Sequence, residues 1–115
     1  MSKDLSISLL MDFYGQLLTS KQLEALEYYY NDDLSLAEIA DEMSISRQGV
    51  RDFIKRGEKQ LSEFEQKLGL AGRFERIKDK IEHIDAVADK LAAGESQADE
   101  LQKLKSLTKQ VIVEL

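Results

Sequence analysis

The sequence predicts an all-α protein, with a helix-turn-helix domain of three to four helices followed by a C-terminal helical hairpin. Three features support this fold class. The 115 residues contain no proline, which favours long, uninterrupted helices. Apolar residues recur at steps of three and four, as they do on one face of an α-helix. Six glycines and several serine caps then separate one helical segment from the next.

The composition excludes several classes of site. The chain has no cysteine and one histidine, which removes disulfides, thiolate zinc sites and cysteine nucleophiles. No serine lies in a nucleophile-elbow pattern, and the acidic residues are spread over helix surfaces with no close pair flanked by a pocket signature. His83 is expected to be a surface residue beside Ile84. We therefore expect a protein that is not an enzyme and needs no cofactor or metal.

The N-terminus and the hydropathy predict a cytoplasmic protein without membrane insertion. The stretch MSKDLSIS lacks a basic segment followed by an apolar one, as a secretory signal would have. No apolar run approaches the ~20 residues that a transmembrane helix needs.

Two helices are expected before the central motif. The first runs from about Asp4 to Leu18. Its predicted apolar face is Leu10, Phe13, Tyr14 and Leu17. The second begins at Ser20 as N-cap, and its predicted face is Leu23, Leu26 and Tyr30. Because successive helical residues turn by about 100°, the three tyrosines at 28–30 cannot all point inward. Tyr30 is expected to be buried and at least one other to be exposed.

The central motif begins with a capping box. Ser35 and Glu38 have the S-x-x-E spacing in which each side chain accepts from the other's backbone amide. A short helix follows, with an apolar face made of Leu36, Ile39, Ala40 and Met43. Residues 44–45 form the turn. Ser46 then caps a long helix from about Arg47 to Leu68, whose heptad-like seam is Val50, Ile54, Gly57, Leu61, Phe64 and Leu68.

These two helices match the requirements of a helix-turn-helix. Ala40 is small enough for the second helix to cross closely, and Ile45 supplies an apolar anchor in the turn. Val50 and Phe53 face the first helix. Ser44 stands where glycine is common in such turns, and it is acceptable there at some conformational cost.

The stretch KLGLAGR, with Gly69 and Gly72, is the predicted boundary between a domain at 1–70 and a hairpin at 71–115. The first hairpin helix has the predicted stripe Phe74, Ile77, Ile81, Ile84, Ala88 and Leu91, and Gly94 ends it. Ser96 with Asp99 starts the second, whose stripe is Leu101, Leu104, Leu107, Val111 and Leu115. The two stripes can bury each other, pack on the domain or pair with another subunit, and a homodimer is expected.

The first turns of the second helix of such a motif meet a nucleic-acid groove. The predicted nucleic-acid-binding residues are Ser46, Arg47, Gln48, Arg51, Lys55 and Lys59. Arginine can contact guanine with two hydrogen bonds, glutamine can contact adenine in the same way, and Ser46 can donate to a phosphate. Asp52 would repel phosphates unless Arg56, four residues on, pairs with it.

Local charge bears on this prediction because the whole chain has a net charge of −6. Residues 47–59 contain five basic and two acidic side chains, whereas residues 31–43 contain five acidic and no basic ones. The Debye length is ~8 Å at physiological salt, so the local patch matters more than the total. Two readings stay open: a nucleic-acid site, or a three-helix packing unit with a solvated charged flank.

Four stretches resemble the YlxM-like helix-turn-helix proteins of Gram-positive bacteria. They are DFYGQLLTSKQ (12–22), YYNDDLSLAEIADE (29–42), SRQGVRDFIKRGEKQL (46–61) and FEQKLGL (64–70). The middle portion also resembles the last helix-turn-helix region of bacterial sigma factors. The resemblance implies a winged-helix-like or sigma-region-4-like domain, with Arg47, Gln48, Arg51 and Lys55 in its recognition helix. It also implies a regulatory link to the signal recognition particle pathway.

Two functional hypotheses follow. The first is a nucleic-acid-binding regulatory or accessory protein of the signal recognition particle pathway, with DNA or the particle's RNA as ligand. The alternative is a protein–protein adaptor that docks on the particle's GTPase, for which the acidic surface and exposed tyrosines would serve.

Overall fold

The structure, a computed structural model, describes residues 6–94 and 98–115. Within these ranges the chain forms six α-helices and no β-strand, so the predicted all-α class is confirmed and the helix-turn-helix carries no β wing there. The helices are α1 (Ile7–Tyr14), α2 (Ser20–Leu26), α3 (Leu36–Met43), α4 (Arg47–Leu68), α5 (Leu70–Ala92) and α6 (Ala98–Glu114). A 3₁₀ turn, Gly15–Leu17, follows α1, and a π turn, Glu27–Asn31, follows α2.

The first helix is shorter than predicted. It begins after Ser6, whose Oγ accepts from the Leu9 amide at 3.1 Å, and the predicted start at Asp4 lies outside the described residues. The 3₁₀ turn winds more tightly than an α-helix, so the apolar face changes direction there. Leu17 is 58% exposed and Leu18 is buried, so the prediction that Leu17 belongs to the apolar face was wrong.

Thr19, not Ser20, caps the second helix. The Thr19 hydroxyl accepts from the Gln22 amide at 3.2 Å, and Gln22 Oε1 accepts from the Thr19 amide at 3.2 Å. This reciprocal pair is a capping box, which satisfies two amides that a bare helix start would leave unpaired. Ser20 is therefore the first helical residue rather than the cap.

The π turn redirects the three consecutive tyrosines. The Asp32 amide donates to the Glu27 carbonyl at 3.0 Å, a step of five residues that widens the helix. Tyr29 is 40% exposed, which confirms that at least one tyrosine lies on the surface. Tyr28 and Tyr30 are half-buried, so the prediction of a buried Tyr30 was only partly right.

The helix-turn-helix forms as predicted. Ser35 and Glu38 exchange hydrogen bonds of 3.1 Å as a capping box at the start of α3. Ser44 then takes a left-handed conformation, with φ of +55°, and the Ile45 amide donates to the Ala40 carbonyl at 3.1 Å. Ser46 Oγ accepts from the Gly49 amide at 3.0 Å and begins α4.

The core of the N-terminal unit lies between α4 and the helices that precede it. Its largest fully buried side chains are Tyr14, Leu10, Leu26, Ile39, Leu61 and Val50. Gly57 permits the close crossing of α2 and α4, because a Cβ at this position would lie 2.6 Å from Leu26 Cδ1. The predicted seam of α4 is buried from Val50 to Leu61 and half-buried at Phe64. Leu68 is 51% exposed, so its assignment to the seam was wrong.

The end of α4 and the start of α5 share a hydrogen-bond network. Gly69, with φ of +64°, ends α4. The Tyr14 hydroxyl donates to Glu65 Oε1 at 2.6 Å and accepts from the Leu70 amide at 3.0 Å. The Ala71 amide donates to the same carboxylate oxygen at 3.1 Å. The network thus occupies two of the free amides at the start of α5.

The chain divides into two compact units, one ending at Ala71 and the other formed by Gly72–Leu115. Gly72 lies inside α5, so only Gly69 interrupts the helices at this point. The assignment of two independent domains, at 1–70 and 71–115, stays a prediction.

The second unit is a helical hairpin. The Arg76 guanidinium donates to Glu114 at 3.2 and 3.3 Å, which joins the start of α5 to the end of α6. The hydrogen bond from Arg76 lowers the pKa of Glu114. The inward side chains are the buried Val87 and the half-buried Ile77, Ile84, Leu91, Leu104, Leu107 and Val111. The predicted stripe residues Phe74, Ile81, Ala88, Leu101 and Leu115 are exposed, and the predicted helix start at Ser96 lies outside the described residues.

Candidate nucleic-acid interface

The cap at Ser46 and the buried side of α4 together determine which residues of this helix face outward. Val50 and Ile54 point into the core, so Arg51 and Asp52 between them turn toward the surface. All of the predicted interface residues are exposed: Ser46, Arg47, Gln48, Arg51, Lys55 and Lys59. The structure therefore places them on the accessible side of the second helix of the motif.

Four of these residues form what we call the basic stripe: Arg47, Arg51, Lys55 and Lys59. They recur every four residues along α4, so the stripe extends for about 18 Å at a rise of 1.5 Å per residue and winds about 40° round the helix at each step. Residues 47–59 have a net charge of +3, from five basic and two acidic side chains. This patch has the charge that phosphate groups require.

Asp52 is held by Gln48 and not by Arg56. Gln48 Nε2 donates to Asp52 Oδ1 at 3.0 Å. Within residues 6–94 and 98–115 the ion pairs do not include Asp52 with Arg56, so the compensation suggested by their spacing does not form. Gln48 keeps its carbonyl oxygen and its second amide hydrogen for a ligand.

The first helix of the motif and the residues before it have an acidic surface. Residues 31–43 have a net charge of −5, from Asp32, Asp33, Glu38, Asp41 and Glu42, all of which are exposed. The hydrogen bond with the Ser35 backbone amide, and to a smaller extent that with the Ser35 side chain, lowers the pKa of Glu38 and favours its charged form. We name these five residues the acidic flank. It opposes phosphate binding near α3 and so limits where a polyanion can lie.

A crevice opens between the π turn, α3 and α4. It has a volume of about 350 Å³ and is lined by Tyr29, Tyr30, Leu36, Arg51, Ile54, Lys55 and Glu58. We call it the tyrosine crevice. Arg51 and Lys55 thus belong both to the basic stripe and to this crevice.

The tyrosines in the crevice are held in place. The Tyr30 hydroxyl donates to Glu58 Oε2 at 2.8 Å, and the rings of Tyr29 and Tyr30 meet edge-on with centroids 5.0 Å apart. Burial, together with the hydrogen bond to Glu58, raises the pKa of Tyr30, so its hydroxyl stays a donor at neutral pH. Reasoning from the sequence missed this crevice, because the helical period used there did not include the π turn.

The described part of the chain contains neither a metal-binding cluster nor a membrane-spanning helix. Among the residues that the structure describes, no group of three or more His, Cys, Asp or Glu side chains has an arrangement that would hold a metal ion. None of the helices in the described part of the chain is both long and apolar enough to cross a membrane.

Comparison with known proteins identifies relatives along almost the whole chain. Residues 1–107 match the family described as "Putative helix-turn-helix protein, YlxM / p13 like". A UPF0122 protein of Halalkalibacterium halodurans is 42% identical over 107 residues, which cover 93% of this chain and 98% of the relative. A UPF0122 protein of Shouchella clausii is 46% identical and covers 90% and 98%. A third, from Acetivibrio thermocellus, is 52% identical over 80 residues and covers 70% and 68%.

Proposed function

We propose a nucleic-acid-binding role on the premise that this chain belongs to the YlxM/p13-like family of helix-turn-helix proteins. The ligand contacts the exposed side of α4, with phosphates along the basic stripe and base edges near Arg47 and Gln48. The observation that supports this proposal is the exposure of four basic side chains at four-residue spacing on the second helix of the motif. In helix-turn-helix proteins this is the element that enters the groove.

The start of α4 adds to the attraction. The helix is 22 residues long, and its N-terminus presents backbone amides and the positive end of the helix dipole. Arg47 lies on its first turn, and Ser46 keeps a hydroxyl hydrogen to donate while its oxygen caps the helix. The negative total charge predicts that the sequence-independent part of nucleic-acid binding is weak, because the acidic flank repels phosphates that lie outside the stripe.

The proposal includes a regulatory or accessory role in the signal recognition particle pathway, with DNA or the particle's RNA as the ligand. Its support is the family resemblance. A cytoplasmic location and a homodimer belong to the same proposal, since paired recognition helices can meet successive grooves. A monomeric mass in light scattering at high protein concentration would contradict the homodimer.

The direct test is the double change Arg47→Ala with Arg51→Ala. Binding of a labelled DNA duplex and of the particle's RNA would be measured by fluorescence anisotropy at low salt. We expect loss of binding with unchanged circular dichroism, because both side chains are exposed. The matched control is Lys105→Ala with Lys109→Ala, which removes the same charge at the same spacing from exposed positions of α6. Equal binding by the two double variants would rule out α4 as the interface.

The acidic flank favours a second candidate, an adaptor that docks on the GTPase of the signal recognition particle. Five exposed carboxylates on one short segment can steer a basic partner. The test is a pull-down of the GTPase after nuclease treatment, with Asp41→Asn and Glu42→Gln as the variant. Retention that depends on these two carboxylates supports the adaptor, and failure to bind the GTPase or its RNA complex contradicts it.

A further inference from the structure

We propose that the tyrosine crevice takes up one unpaired base of a nucleic acid whose phosphates lie along the basic stripe. The inference rests on the proposed function and narrows its ligand class to nucleic acids with bulged, looped or single-stranded nucleotides. A base within a regular duplex is stacked and paired, so it cannot enter a crevice on the protein surface.

The crevice combines three features that a nucleotide requires. At 40% exposure, the ring of Tyr29 offers an aromatic surface, and bases stack on such rings with little dependence on sequence. Arg51 and Lys55 line the crevice and are exposed to solvent, so they can hold the phosphate. The volume of about 350 Å³ is at the small end of ligand pockets, as expected for a single base.

Glu58, which also lines the crevice, supplies a hydrogen-bond acceptor. Its Oε2 holds the Tyr30 hydroxyl at 2.8 Å, and a carboxylate has further lone pairs that can accept hydrogen bonds. Adenine, guanine, cytosine and uracil each carry an N–H donor on the Watson–Crick edge. The exposed cations Arg51 and Lys55 therefore suit the phosphate of a nucleotide, and the half-buried Glu58 carboxylate suits its base.

The crevice is also formed before any ligand arrives. Tyr30 is fixed by Glu58, and Tyr29 meets Tyr30 edge-on at 5.0 Å, so neither ring has to be ordered on binding. Tyr29 lies in the π turn, a rare backbone form. Where such turns do occur, they often lie at functional sites.

The test compares three two-stranded duplexes of one sequence: fully paired, with one bulged adenosine, and with an abasic residue at the bulge. Each is made in RNA and in DNA, and affinities are measured at fixed low salt. We expect the bulged adenosine to bind about tenfold more tightly than the abasic bulge, as stacking on one aromatic ring implies. If the tenfold ratio appears only with the RNA probes, the base belongs to RNA; if it appears only with the DNA probes, the base belongs to DNA.

Substitutions at Tyr29 test the placement. Tyr29→Ala should reduce the ratio to about one, and Tyr29→Phe, which keeps the ring, should preserve it. Tyr29→Leu gives a second variant without an aromatic ring if the alanine variant does not fold. A bulge with 2-aminopurine reports stacking separately, because its fluorescence changes on uptake by the wild-type protein and not by Tyr29→Ala.

The outcomes separate the inference from the proposed function. Equal binding of the adenosine and abasic bulges overturns the inference and leaves nucleic-acid binding by α4 intact. A ratio that persists in folded Tyr29→Ala and Tyr29→Leu also overturns it. If none of the duplexes binds, the proposed function fails and the inference fails with it.

Discussion

Gly57→Ala tests whether the crossing of α2 and α4 is as close as the structure shows. The new Cβ would lie 2.6 Å from Leu26 Cδ1 and 3.3 Å from Leu26 Cγ. Leu26 is fully buried, so it has little room to move away. This crossing matters for function because it helps to fix the direction of α4 and hence of the basic stripe.

Two opposing effects determine the sign. Replacing glycine by alanine inside a helix gains about 1 kcal/mol. Overpacking of a well-filled core costs about 1–3 kcal/mol. We expect the cost to win, with a net loss of about 1 kcal/mol in the free energy of unfolding. For a domain of this size that loss lowers the melting temperature by about 4–8 °C.

Gly49→Ala is the matched control in the same helix. The nearest contact of its new Cβ would be Ser46 Oγ at 3.3 Å, followed by Ile45 Cδ1 at 3.5 Å. These distances require only a small adjustment, so Gly49→Ala should be neutral or stabilising by up to about 1 kcal/mol. The two variants would be compared by urea unfolding followed by circular dichroism.

A double-mutant cycle then isolates the clash. In a Leu26→Ala background the obstructing side chain is gone, so Gly57→Ala should become stabilising by about 1 kcal/mol. Destabilisation by Gly57→Ala of the same size with and without Leu26 would refute the close crossing. The close crossing would also be refuted if Gly57→Ala stabilised the wild-type protein as much as Gly49→Ala does.

Three further changes test individual contacts by urea unfolding. Ser44→Gly should stabilise by about 1 kcal/mol, because residue 44 has φ of +55°; a loss of stability would contradict this. Tyr14→Phe should cost about 1–3 kcal/mol, because it removes a 2.6 Å hydrogen bond to Glu65; an unchanged midpoint would contradict this. Glu38 has a lowered pKa in the folded state, so its contribution is full above the ordinary glutamate pKa and is lost as the pH falls through the lowered one. Glu38→Gln should therefore narrow the difference in stability between about pH 7 and about pH 3, and an unaltered pH profile would exclude this role.

Local sequence patterns predicted the parts of the fold that local interactions determine. The Ser35–Glu38 capping box, the cap at Ser46 and the turn at Ser44 form as their spacing indicated. Each depends on contacts within a few residues, which the sequence shows directly. Thr19 and Gln22 have the same spacing as Ser35 and Glu38, and this spacing indicates a capping box at Thr19. The prediction of Ser20 as the cap overlooked that spacing.

Tertiary packing determined the rest. In α5 the apolar residues lie on more than one side of the helix, so their periodicity did not decide which side is buried. In the structure Val87 is buried and Ile81 is exposed. The 3₁₀ turn after α1 and the π turn after α2 change the helical phase, which turned Leu17 to the surface and left Tyr30 only half-buried. The tyrosine crevice lies at that π turn, and a fixed period of 3.6 residues cannot show it.

The salt dependence of binding tests the basic stripe most directly. For duplex DNA the slope of log K against log salt falls by about 0.9 for each phosphate contact that is lost, and for single strands by about 0.7. We predict that Arg51→Ala and Arg47→Ala each reduce the slope by about that amount, and that Lys105→Ala leaves it unchanged. A slope that is the same in the wild-type protein and in both arginine variants would contradict phosphate binding along α4.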